Sequence, residues 1–301
     1  MRVIVLGATG QIGSTLLHSL DKDHIHITGT TRQPTDKPLL IPFNPFVDDW
    51  KLLGTVDVII NCIGTIYETR KNSFEKLHVA LVKLLIRNRL FLGHPKIINV
   101  SALGASEDHR VSFLRTKGVG DKLLLQEENT YVIRPSIVCT TNTMMLQKLR
   151  KLRSIASHTG NRLIVPAGFL TTSIQPVHIN DLVELIKHLL FNNSCHRIID
   201  AVGPDRISFH QLLTYTFANH PPQLSYMEIN KHLLGGMVRH LIAPLFPSFI
   251  SYDQFELLLN DNTSDDNAME KMIGGKLQGT TNFWKTNLEK SFPVYQPLNV
   301  F

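Results

Sequence analysis

The chain has 301 residues, 43 % hydrophobic and 19 % charged, which excludes a disordered chain and allows one large α/β domain or two modest ones. Its three cysteines (Cys62, Cys139, Cys195) are too few and too scattered for a disulfide framework, and no CxxC pair points to zinc. A formal charge of +6 is mild, and no aromatic residues interleave with the basic ones, so the sequence argues against a nucleic-acid partner. The one tight basic run, Lys148, Arg150, Lys151 and Arg153, reads as the solvated face of a helix or as a patch for phosphate or an acidic partner.

In chain order, the apolar run Val3-Ile4-Val5-Leu6 begins two residues after Met1 and leads straight into glycines. It lacks the basic n-region, longer apolar core and small-residue cleavage site of a secretory signal. No window reaches the roughly 18 unbroken apolar residues of a membrane span. The expectation is a reducing, cytoplasmic location without a transmembrane segment, any membrane association coming through partners.

Val- and Ile-rich runs at 2–6, 25–30, 57–61, 96–100 and 131–134 predict parallel strands covered on both faces. Helical patterns at 11–21, 69–91 and 111–127 separate them, so the fold class is α/β, a doubly wound parallel sheet of the Rossmann type. Pro34, Pro38, Pro42 and Pro45 predict a turn-rich link around one short strand over 34–50. Beyond Arg134-Pro135 the pattern predicts a helix at 141–158, a strand at 196–202 and a helix at 208–219. Residues 231–250 are apolar but broken by Gly235-Gly236, Pro244 and Pro247, which argues against a long helix, and 260–268 read as a polar loop. The expected organisation is a Rossmann domain over 1–140, with returning segments near 173–205, and a smaller, irregular C-terminal lobe mainly from 141–301.

The sharpest local signal is Gly7-Ala8-Thr9-Gly10-Gln11-Ile12-Gly13, directly after the first strand. Gly7 permits a tight turn, Gly10 lets backbone amides approach a pyrophosphate, and Gly13 lets the next helix pack closely on the strand. The helix N-terminus adds unpaired N–H groups and positive dipole. Gly7, Thr9, Gly10, Gln11, Ile12 and Gly13 are therefore candidate dinucleotide contacts. The end of the second strand, Thr28-Gly29-Thr30-Thr31-Arg32, offers no carboxylate for a ribose 2′-hydroxyl. A guanidinium there suits a 2′-phosphate, so Arg32 favours NADP(H) over NAD(H).

The later segments Asn61-Cys62-Ile63-Gly64, Asn99-Val100-Ser101, Phe113-Leu114-Arg115-Thr116-Lys117, Arg134-Pro135-Ser136 and Gln175-Pro176-Val177-His178 resemble those of the extended and atypical short-chain dehydrogenase/reductases, the epimerase/dehydratase-like kind. Within that superfamily, Val58-Ile59-Ile60-Asn61-Cys62-Ile63-Gly64 followed by Tyr67-Glu68-Thr69-Arg70, the third segment continued by Gly118-Val119-Gly120-Asp121-Lys122, and Gln175-Pro176-Val177 resemble the NADPH-binding accessory subunits of respiratory complex I and their bacterial relatives. The resemblance covers roughly residues 1–215. It implies cofactor contacts at Cys62, Ile63, Gly64 and Pro135, a catalytic-site serine at Ser101, and a lysine, Lys117, on the nicotinamide ribose. It also places Asn44 near the adenine, although an Asn before Pro45 is equally a turn former.

The departure is Phe113, which stands where the superfamily carries a proton-donating tyrosine. Loss of a general acid–base group typically costs on the order of 10²- to 10⁴-fold in rate. Tyr67, His109 and His178 are the residues that could act as a displaced acid. Two readings follow. One is an NADP(H)-binding protein with impaired or no conventional oxidoreductase activity, in a structural, assembly or redox-sensing role. The other is an active reductase or sugar-nucleotide epimerase/dehydratase using a non-standard acid. Segment 232–246 reads as lobe core or as an amphipathic surface for a protein complex or membrane surface. His24 and His26 alternate on a strand without a carboxylate cluster, so no metal is expected. Asp181 is expected to satisfy first-turn helix amides, and Cys62 to pack rather than react.

Overall fold

The computed structural model describes residues 1–21, 25–140, 143–217, 224–245, 250–266 and 268–289. Six strands, β1 (Arg2–Leu6), β2 (His26–Thr31), β3 (Leu40–Pro42), β4 (Val58–Asn61), β5 (Lys96–Val100) and β6 (Thr130–Pro135), join strand Ile198–Ala201 in one sheet. Its order is Ile198–Ala201, β6, β5, β4, β1, β2, β3, with every neighbour parallel. The order reverses at β1, so a crevice opens beyond the carboxyl ends of β1, β2 and β4.

Helices α1 (Gln11–Asp21), α2 (Leu81–Asn88), α3 (Ser112–Leu125), α4 (Met144–His158), α5 (Ile179–Phe191), α6 (Phe209–Phe217) and α7 (Lys231–Met237) surround the strands and a second core. β1 shows why its sequence is apolar at consecutive positions. Val3 and Val5 pack with Leu16 and Leu20 of α1 and Leu182 and Ile186 of α5. Ile4 and Leu6 pack on the opposite side with Trp50, Leu53, Leu81 and Leu85. Alternate side chains point to opposite faces, and here both faces are covered. The second core gathers Leu146 and Leu149 of α4, Leu163, Val165 and Phe169, Leu212 and Leu213 of α6, and Trp284.

Several expectations are corrected. The helix expected from 69 starts at Glu75, as a wide π-turn (Glu75–Ala80) running into α2; Thr69 and Asn72 instead close a turn on each other. The stretch expected to be broken at Gly235-Gly236 is helical from Lys231 to Leu245, through a second π-turn at Val238–Ile242. Gly235 lies against the Phe255 ring, where a Cβ would stand 3.0 Å from Cε1, and Pro244 falls in the last turn. Lys148 is not on a solvated face: its Nζ donates to Gln254 Oε1 at 2.5 Å, and burial pushes its pKa down to about 8. The side chains of Arg150 and Arg153 lie outside the described residues, as do His24, 141–142, 218–219, 246–249 and 267. Asp181 accepts from the Gln278 amide at 2.8 Å rather than from the first turn of α5, where His178 Nδ1 accepts from Asn180 N.

The helix from Lys231 to Leu245 leaves Leu233, Met237, Leu241 and Leu245 exposed at four-residue intervals, between 43 % and 69 %. Its other side carries buried Gly235 and Val238. No described helix is long and apolar enough to cross a membrane.

Candidate functional site

The chain leaves β1 through Gly7, whose φ of +75° is open to glycine and costly for other residues. Gly10 N then donates to Gly7 O at 3.0 Å, and α1 begins at Gln11. A Cβ on Gly13 would stand 2.4 Å from Gly7 O and 2.8 Å from Ala8 Cα, so only glycine lets α1 pack this tightly. A Cβ on Gly10 would meet nothing nearer than Gly7 O at 3.3 Å. Gly10 therefore keeps open space on the cleft side of the turn, not in the core.

The crevice is a cleft of about 260 Å³ lined by Gly7, Thr9 and Gly10 from the turn, Thr30, Thr31 and Arg32 from the end of β2, and Cys62, Ile63, Gly64 and Thr65 after β4. Phe43, Pro45, Phe46, Asn72 and Leu77 complete the wall. Arg32 Nη1 reaches Asn72 Oδ1 at 3.5 Å, which keeps the guanidinium at the cleft edge. Asn44 is a turn former here: its Oδ1 accepts from Phe46 N at 3.2 Å, and its aromatic neighbours line the cleft. Gln11, Ile12, Gly13, Asn44, Ser101, Lys117 and Pro135 are not on this wall, although Lys117 Nζ stands close behind Gly64, 3.2 Å from where its Cβ would be. Cys62 faces the cleft with a thiol that burial pushes up to about 12, which keeps it protonated at neutral pH.

Behind Gly64 lies a buried polar chain that sequence reading missed. Asn61 Nδ2 donates to Asn99 Oδ1 at 2.7 Å, and Asn99 Nδ2 approaches Asp121 Oδ1 at 3.5 Å. Asp121 Oδ2 accepts from Ser101 Oγ at 2.8 Å and from Arg134 Nε at 3.0 Å. Burial raises the Asp121 carboxyl above its usual range while Arg134 pulls the other way. Lys117 Nζ donates to Val100 O at 2.9 Å; burial lowers its pKa to about 8, opposed by Asp121. The Ser101 hydroxyl is thus committed to a buried carboxylate.

Phe113 is 8 % exposed and sits in an apolar cluster with Phe74, Val111 and Leu114, with Leu257 packed against it. Its ring meets Phe74 at 5.7 Å and His78 at 5.6 Å between centroids, and its amide donates to Asp253 Oδ2 at 3.0 Å. Each displaced-acid candidate has a local contact, that of Tyr67 through its main chain alone. Tyr67 is tied through its main chain to the Thr65 hydroxyl, His109 Nδ1 accepts from Val111 N at 3.0 Å, and His178 caps α5. His78, unremarked in the sequence, is what lies beside Phe113. Among the described residues no group of three or more His, Cys, Asp or Glu could hold a metal.

The parallel sheet reversed at β1 and the glycine turn after it define a doubly wound Rossmann-type α/β fold, one that solved NAD-bound epimerases share. In sequence, the chain is similar to the mitochondrial NADH dehydrogenase (ubiquinone) 1 alpha subcomplex subunit 9 of Arabidopsis thaliana: 27 % identical, covering 91 % of this chain and 75 % of that one. It is likewise similar to the mitochondrial NADH-ubiquinone oxidoreductase 40 kDa subunit of Neurospora crassa, at 22 % identity over 88 % and 72 % of the two chains. In structure it resembles MoeE5 in complex with UDP-glucose and NAD (TM-score 0.71, 15 % identity, 97 % and 98 % covered). It also resembles the Bacillus cereus UDP-glucuronic acid 4-epimerase in complex with UDP-glucuronic acid and NAD (TM-score 0.68, 13 % identity, 97 % and 100 % covered). No family model matches the chain.

Proposed function

We propose that this chain binds NADP(H) in preference to NAD(H) and carries out little or no conventional oxidoreductase turnover, serving a structural, assembly or redox-sensing role in a protein complex. The observation that carries this reading is Phe113, a ring without an ionisable proton, packed into an apolar cluster where the superfamily's acid would stand. The cleft suits a dinucleotide: its turn leaves open the space a Gly10 side chain would fill, and Arg32 with Thr30 and Thr31 lines the end that a 2′-phosphate would take. NADPH supplies a hydride when bound. The chain's residues would hold it, Lys117 behind the β4 end of the cleft and Arg32 at the other, but neither Phe113 nor the Ser101 hydroxyl held by Asp121 is placed to move a proton.

The relatives' names place those proteins in NADH dehydrogenase complexes. By analogy, the C-terminal lobe, from 141 onward, supplies the partner surface here, with the exposed stripe on the helix from Lys231 to Leu245 as its centre. The free thiols Cys62, Cys139 and Cys195 suit a reducing, cytoplasmic-type compartment, with membrane contact through partners. The test is calorimetric titration of NADPH and NADH, in wild type and Arg32→Ala. Wild type is expected to bind NADPH more tightly, and the substitution to erase most of the difference. Equal wild-type affinities would sink the NADP(H) preference. Robust turnover of nucleotide sugars or quinone-like carbonyls that survives Lys117→Ala and Ser101→Ala would sink the reading of the site.

A further inference from the structure

The cofactor cleft stops short of Phe113. Phe113, Ser101 and Lys117 stand at the positions that the resemblance gives to catalysis, yet they are only 8 %, 6 % and 7 % exposed, and none is on the cleft wall. A second ligand meeting Phe113 would have to enter beyond the carboxyl ends of β4 and β5, the side on which open α/β sheets take their ligands. In this chain the elements on that side are covered by a short helix that comes late in the sequence, Tyr252–Leu257.

Four residues of this helix engage the surroundings of Phe113. Asp253 Oδ2 accepts from the Phe113 amide at 3.0 Å. That amide belongs to the first turn of α3, where a helix leaves its N–H groups without partners, and Val111, just before α3, offers no side-chain cap. Gln254, 8 % exposed, donates from Nε2 to the Ile66 carbonyl in the loop after β4 at 3.2 Å. Glu256 pairs with Arg110, in the loop before α3, at 3.1 Å. Leu257 packs on the cluster of Phe74, Val111, Phe113 and Leu114. The helix is also braced from behind. Lys148 of α4 donates to Gln254, Phe255 lies against Gly235, and the Arg239 guanidinium is 5.3 Å from the Tyr252 ring centre.

We propose that the helix Tyr252–Leu257 is an internal plug, which closes the substrate side of the site and keeps Phe113 out of reach of molecules in solution. A lobe that binds a substrate keeps polar side chains free to meet it. Here Asp253 and Gln254 are taken up by main-chain groups of the sheet domain, Glu256 by Arg110, and Leu257 by the cluster around Phe113. No residue of the helix is on the wall of the cofactor cleft, so the plug leaves the nucleotide its place. The plug builds on the reading of a chain with little conventional turnover and gives it a second cause, separate from the missing phenol. A tyrosine restored at position 113 would supply an acid without supplying a way in.

The experiment measures access to position 113 directly. Phe113→Cys places a thiol there, and its rate of alkylation by iodoacetamide is followed by peptide mass spectrometry, with exposed Cys195 as the internal standard. In the otherwise intact chain this thiol is expected to react about a hundredfold more slowly than Cys195, because reaction waits on local opening. Adding Asp253→Ala and Leu257→Ala, which remove the amide contact and the apolar one, is expected to bring it within about tenfold of Cys195. Buried Cys139 should stay unreactive throughout, which reports that the fold is kept. A thiol at 113 that matches Cys195 in the otherwise intact chain overturns the plug. So does one that stays protected after both substitutions, since something other than this helix would then close the site. If Phe113→Cys does not fold, hydrogen exchange at the Phe113 amide replaces the labelling. Protection in wild type, lost in Asp253→Ala, is expected; fast exchange in wild type, or protection that survives the substitution, overturns the proposal. Neither measurement uses cofactor or substrate, so the plug can fail while the titration and turnover tests of the proposed function succeed, and the reverse.

Discussion

Burial of His78 has a cost that appears in acid. Desolvation, with the Lys117 charge adding to it, pushes the ring's pKa down to about 2. The unfolded chain titrates this histidine near 6.5. Between those values the unfolded state binds a proton that the folded state refuses, so stability falls as pH drops through 6.5 and goes on falling toward 2. Each pH unit well below 6.5 is worth about 1.4 kcal/mol, so the step from pH 7 to pH 5 removes about 2 kcal/mol on account of this one ring. That figure is insensitive to the folded-state value so long as it stays well below 5. His78→Phe retains the aromatic packing against Phe74 and Phe113 and deletes the titration. Urea unfolding of both proteins at pH 7, 6 and 5 should therefore show the variant gaining about 2 kcal/mol on wild type across the series. Parallel curves over the whole range would refute the reasoning, because His78 would then protonate in place or be hydrated.

Three further outcomes are expected. Gly10→Val should fold and lose dinucleotide binding, whereas Gly13→Ala, whose Cβ overlaps the Gly7 and Ala8 backbone, should lower the melting temperature; thermal melts paired with titration would expose a reversal of these roles. NADPH affinity should decline as pH rises past about 8, where the Lys117 ammonium loses its proton, and Lys117→Met should flatten that decline; a flat wild-type profile from pH 7 to 9.5 would count against a lysine contact. Asp121→Ala should cost about 3 kcal/mol or more, since it strands Arg134 and the Ser101 hydroxyl inside the protein, and a loss below 1 kcal/mol in denaturant titration would mean that water replaces the carboxylate.

What could be read from sequence divides along a physical line. The strands of the sheet and the glycine turn were legible because their signals are local: an apolar run buried on both faces, then glycines at fixed spacing. β1 at Arg2–Leu6 and α1 at Gln11–Asp21 fall where the pattern put them. The helix expected from residue 69 was misplaced because Thr69 and Asn72 prefer a turn that side-chain hydrogen bonds close. The helix through Gly235 and Pro244 was not foreseen because propensity cannot see the Phe255 ring that Gly235 admits. Asp121 carried a faint signal, a carboxylate four residues after Lys117 on one helix face. His78 carried none, since its significance comes from Gly64, Thr116 and Lys117, which only the folded chain brings together.

The row of Leu233, Met237, Leu241 and Leu245 also bears on the life of the chain before it meets any partner. A newly made copy displays these side chains to water from the moment the helix forms, and no acidic residue lies between Lys231 and Leu245 to discourage sticking to other chains. Under the complex-forming role proposed above, the side chains that would meet a partner are also the ones that make an uncovered copy prone to self-association.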